Sequence, residues 1–221
     1  MIRGCSALPL ALIPIALAAS PNGFSYRPAG ELVATSGIGR DDPFVYFSGM
    51  RFPLESAPAF ANSQVWGRGG ARGGGGTQCD ALNYSYPWHD TFCETRSWEM
   101  PLCPAATGHQ GQDIRPATCR KDLHWVVAVA PGRISKVGAY SVYLMSDNGT
   151  RVDYLHMSSV QVKVGDQVKA GARLGKVSNV FNGTPTTIHL HLNLFQNVAG
   201  RGWTYVPPYT SLINAYQVLT P

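Results

Sequence analysis

At 221 residues the chain is long enough for one well-buried domain with extensions and short for a second full domain. With 44% hydrophobic and 14% charged residues it reads as globular rather than disordered, and 24 glycines with 16 prolines favour a turn-rich, strand-rich fold. A formal charge of +5 suits attraction to polyanions such as cell-wall polymers, or merely solubility; no basic run interleaved with aromatics suggests nucleic acid.

In chain order, "MIRGCSALPLALIPIALAAS" has a basic start at Arg3, an apolar middle and a small-residue ending, Ala16-Leu17-Ala18. That pattern predicts a cleaved signal peptide over 1–18 and a periplasmic or secreted protein. The apolar run is short for a bilayer and holds Pro9 and Pro14, so no stable membrane span is expected after cleavage. Loss of Cys5 leaves Cys79, Cys93, Cys103 and Cys119, an even set that predicts two disulfides in an exported protein. Three pairings are open. The sequential one, Cys79 with Cys93 and Cys103 with Cys119, is favoured because both loops are short. No Cys-x-x-Cys pair points to a metal.

Residues 19–102 read as an irregular N-terminal extension. Within it "GRGGARGGGG", about 67–76, has the composition of a flexible linker or mobile loop. The cysteine-bearing, aromatic segment after it is too short to fold without its disulfides. Over 103–197 the text changes: short runs of Val, Ile, Tyr and Leu alternate with Pro-Gly, Asn-Gly and Gly-Asp. That predicts an all-β dominated domain built on a small antiparallel sheet, with "SDNGT" as a tight hairpin turn. The tail, 198–221, shows only weak helical spacing around Leu212, Ile213 and Tyr216.

Chemistry concentrates in four of the histidines. "GHQGQD" sets His109 four residues before Asp113, a spacing that returns both side chains to one side of a strand. In "TTIHLHLNLF", alternation points Ile188, Leu190, Leu192 and Leu194 one way and His189, His191 and Asn193 the other. Two histidines and a carboxylate, His109, Asp113 and His191, make a plausible zinc set with an open position for water, whose pKa the ion lowers. His156 in "DYLHM" and His189 remain for proton transfer or oxyanion stabilisation. His89 and His124 read as ordinary satisfied polar side chains.

"GHQGQD", "YLHM", "GDQVKAGARLGKV" and "HLHLNLF", in this order and spacing, resemble the lysostaphin-type, LytM-like zinc metallopeptidases that cut peptide bonds in bacterial peptidoglycan. The resemblance covers about residues 108–195. It implies that His109, Asp113 and His191 hold Zn2+, that His156 and His189 are the catalytic histidines, and that the site lies in a groove on the sheet. The partners implied are peptidoglycan peptides, with another wall hydrolase as partner if the protein is instead a non-enzymatic scaffold of this type. Asn193 stands where the family often has an acidic residue; it can hydrogen-bond an imidazole but supplies no charge. In the family a preceding segment can lie across the groove, and "FANSQVWG" offers Asn62 or Gln64 for that. Were Cys103 to pair with Cys119, the first metal motif would be clamped at about 3 kcal/mol of chain entropy.

Overall fold

The computed structural model describes residues 23–221, so the signal-peptide reading over 1–18, with Cys5, lies outside the described residues. The elements are β1 (Phe60–Ala61), β2 (Gln112–Arg115), β3 (Trp125–Val127), β4 (Gly132–Val137), β5 (Ser141–Ser146) and β6 (Arg151–Leu155). After them come β7 (Met157–Ser158), β8 (Gln167–Val168), β9 (Arg173–Val177), β10 (Leu190–Val198), β11 (Gly202–Val206) and an α-helix, α1 (Tyr209–Leu219), besides a short 3-10 helix at Ala81–Tyr84. Eight strands form the main sheet in the order β1-β2-β10-β6-β5-β4-β8, with β11 also pairing β10; a second sheet is β3-β9-β7. Every pairing between these strands is antiparallel, so the expected all-β class holds.

The hairpin at "SDNGT" forms as expected between β5 and β6. Gly149 takes a φ of 87°, where a side chain is disfavoured, and the Asn148 side chain accepts hydrogen bonds from Ser146 Oγ and Thr150 N. Strand β10 alternates as its sequence demands: Leu190, Leu192 and Leu194 are fully buried in the core, together with Ile114, Val152 and Tyr154. In the tail, Tyr209, Leu212, Ile213 and Tyr216 turn the weak spacing into a real helix by burying one face. Tyr216 packs edge-on to Phe24 and Phe52 at ring distances of 4.7 and 4.9 Å, so segments from both ends of the described chain share one core with the sheet.

The glycine run closes on itself through turn hydrogen bonds, Gly69 N to Gly75 O and Arg72 N to Val65 O, while Arg72 lies over the Trp66 ring at 5.3 Å.

Two disulfides are present, but the sequential pairing is wrong: Cys79 joins Cys119 and Cys93 joins Cys103. The reason is long-range placement. Arg115, at the end of β2, donates from Nη1 to the Gln78 carbonyl, which holds Cys79 within reach of Cys119 four residues further on. Tight turns at Met100–Ala106 bring Cys103 back to Cys93, whose own N–H donates to His109 O. Cys103–Cys119 therefore does not clamp the first metal motif; Cys93–Cys103 braces it from behind.

Candidate active site

Backbone pairing places the first two residues. Asp113 on β2 and His191 on β10 are direct partners in the antiparallel register, and His191 Nδ1 lies 2.9 Å from Asp113 Oδ1. His109 does not sit on the strand as its spacing suggested; it ends the loop before β2, held by its N–H to Glu94 O and its carbonyl to Cys93 N. Two glycines make that approach possible. A Cβ at Gly108 would press within 2.9 Å of Cys93 Cα and 3.2 Å of Cys103 Sγ, and one at Gly111 would strike the Leu192 carbonyl and the Asn193 side-chain oxygen.

His156 and His189 arrive differently. His156 leaves the end of β6 with a φ of +64°, a left-handed turn that swings its ring out of the strand and over the site. His189 precedes β10 and is held by its N–H to Ser178 O, while Ser178 N–H donates to His156 O. The two rings lie 4.5 Å apart.

Each of the four rings is pinned at one nitrogen. His109 Nδ1 meets Thr91 O at 2.9 Å, His156 Nδ1 meets Val180 O at 3.0 Å, and His189 Nδ1 meets Thr187 O at 2.8 Å. A carbonyl only accepts, so each of these nitrogens carries the proton and the opposite Nε2 carries a lone pair. His191 is reversed: its Nε2 meets Asn193 Oδ1 at 2.6 Å, leaving the lone pair on Nδ1. Asn193, which can hydrogen-bond an imidazole without supplying charge, thus sets the orientation of His191.

The consequence is a cluster of electron pairs. His109 Nε2 lies 3.0 Å from His191 Nδ1 and 3.4 Å from Asp113 Oδ1. Two lone pairs and a carboxylate oxygen converge there with no proton among them, an arrangement that asks for a cation. These atoms lie within 4.8 Å of one another and form a metal-capable group among the described residues.

Electrostatics agree. Burial would raise the Asp113 carboxyl, yet the surrounding His109 and His189 rings hold it well below the usual carboxylate range. Burial pushes His109 down and His189 well down, with Asp113 pulling the other way. Burial, aided by the His191 ring, takes His156 down to about 4. Neutral imidazoles beside a charged carboxylate are the protonation states a divalent metal needs.

The five residues expected from sequence therefore line one cavity of about 240 Å³. His89 and His124 stay outside it, and His124 Nε2 bonds the Thr118 hydroxyl at 2.7 Å. Of the two extension residues expected to reach the groove, Gln64 lines the cavity, its Oε1 accepting from Thr187 Oγ1 at 2.5 Å. Asn62 does not: its side chain accepts from Arg115 Nε and donates to Asn83 O. Sequence reasoning missed Arg96, Trp98 and Phe181, which also line it. They come from irregular segments with no motif around them.

The fold thus sets a metal-capable cluster in a cavity of an antiparallel β domain. Residues 107–201 match the model of peptidase family M23, which bears out the resemblance to the LytM-like metallopeptidases over that stretch. Among solved structures, one similar chain is a protein assigned as the glycyl-glycine endopeptidase LytM from Ruminococcus gnavus. It is 27% identical with a TM-score of 0.44, over 49% of this chain and 47% of that one. Another is the catalytic domain of lysostaphin from Staphylococcus simulans, 25% identical with a TM-score of 0.45, over 61% of this chain and 97% of that domain. The chain thus spans about half of the first relative's length and nearly all of the second's.

Proposed function

We propose that the protein is a zinc-dependent endopeptidase that cleaves peptide cross-links or stem peptides of bacterial peptidoglycan, in the periplasm or outside the cell. The observation that carries this is the convergence of the His109 and His191 lone pairs on the Asp113 carboxylate, inside a cavity that also holds two neutral histidines. His109, Asp113 and His191 are the zinc ligands. Tetrahedral ligand atoms about 2.0–2.1 Å from zinc lie about 3.3–3.4 Å apart, close to the 2.9–3.4 Å separations here. When bound, zinc lowers the pKa of water and polarises a carbonyl.

The chain's own residues do the rest. His156 and His189 present unprotonated Nε2 atoms to the cavity, where one takes a proton from the attacking water and, once protonated, passes that proton to the leaving amine. Residues 103–197 are the catalytic domain, with 23–102 and 198–221 packed around it.

Metal analysis of the purified mature protein tests the proposal. About one zinc per chain is expected, with His191→Ala losing it and chelator-treated protein regaining peptide cleavage on zinc addition. A protein that carries no metal, or that acts equally well after chelation, contradicts it. A scaffold that only activates another hydrolase would tolerate His191→Ala if the fold survives.

A further inference from the structure

One cation stands in the cavity that the histidines share. Arg96 lines it beside His109, Asp113 and His191, with its side chain 15% exposed. Its guanidinium is anchored from behind: Nη2 donates to Glu94 Oε2 at 3.2 Å, and Nη1 to Thr95 O at 2.8 Å. Glu94 is itself fully buried, and its backbone carbonyl receives the His109 N–H, so the carboxyl that positions Arg96 belongs to the same residue that seats His109. Arginine offers five N–H donors in a planar fork. Nε–H and the second hydrogens of both Nη atoms meet no acceptor among the described residues. A held guanidinium with donors to spare is suited to a carboxylate, which it can grip with two parallel hydrogen bonds.

A cavity of about 240 Å³ is small enough for a carboxylate on Arg96 and a peptide bond at the histidines to come from neighbouring residues of one substrate. We propose that Arg96 is a specificity-determining residue that binds a free carboxylate on the residue next to the scissile bond. The site then favours carboxylate-bearing stem peptides and direct cross-links over uncharged glycine bridges. This rests on the peptidase reading above.

The test compares one cross-linked stem peptide in two forms, with a free carboxylate beside the scissile amide and with that group as a carboxamide. Zinc-loaded wild type, Arg96→Gln and Arg96→Lys are assayed for KM and kcat, with zinc content and melting as fold controls. Wild type is expected to show a KM about 10- to 100-fold lower for the acid, the range of a charged hydrogen bond. Arg96→Gln should erase that ratio by raising KM for the acid alone, and Arg96→Lys should retain part of it. Equal loss on both forms, or a ratio that survives in Arg96→Gln, overturns the proposal. If wild type cuts neither form, the hydrolase reading fails by itself, and calorimetric binding of the two peptides to wild type and Arg96→Gln still decides. An acid preference lost in the variant supports Arg96; no preference in wild type overturns it.

Discussion

At the scale of the residue, what one ring nitrogen does fixes what the other can do. Three of the site histidines spend a proton on a backbone carbonyl, and the fourth spends it on Asn193. His191 is therefore the ring whose unprotonated nitrogen is set by a side chain, and that side chain can be removed. Asn193→Ala frees the imidazole to change tautomer and swing. Zinc affinity should fall about 10- to 100-fold, read by competition with a chelator, while the melting curve of the zinc-loaded protein changes little. Unchanged affinity would show that Asn193 does not orient the ligand. The pair on "HLHLN" was legible because the alternation of a strand by itself separates a leucine face from a nitrogen face.

The element scale explains what was not legible. Strands β2 and β10 create the site by pairing Asp113 with His191, and Gly111 lets them meet. In Gly111→Ala the new methyl strikes the Leu192 carbonyl and the Asn193 side chain, so β2 must shift away from β10. A loss of about 1–3 kcal/mol is expected in denaturant unfolding, together with weakened zinc binding. Wild-type stability and affinity would mean that the strands do not depend on that close approach. The disulfides, by contrast, were misread because loop length was weighed and tertiary placement was not. Cys79–Cys119 closes the longer loop and Cys93–Cys103 the short one, worth about 4 and about 3 kcal/mol by chain entropy. Arg96 and Trp98 fall on the turn-rich stretch that this shorter bridge folds against His109, and no sequence period marks such a stretch.

For the whole molecule, burying the site has a stability consequence that depends on pH. His156 titrates at about 4 in the fold against 6.5 when free, and His109 and His189 are shifted the same way by burial. Between those values the unfolded chain binds the extra proton at these rings, so their share of the stability falls as pH drops from 6.5 toward 4, while the buried Glu94 and Asp90 carboxyls, pushed up to about 8 and about 6, act in the opposite direction. Metal-free His156→Gln should accordingly lose less of its denaturant midpoint between pH 7.5 and pH 4.5 than metal-free wild type does. An equal loss in both proteins would mean that the His156 ring is not buried neutral. The fold that does this burying reaches beyond the matched stretch 107–201, since Phe24, Phe52 and Tyr216 pack in the same core as the sheet.

Mass analysis of the fragments released from purified sacculi by the mature, zinc-loaded protein tests the central claim most directly. Muropeptides with newly cut peptide cross-links or stems, and at least about 100-fold fewer from zinc-loaded His156→Ala, are expected. Intact cross-links after incubation with protein whose zinc content has been verified would contradict it.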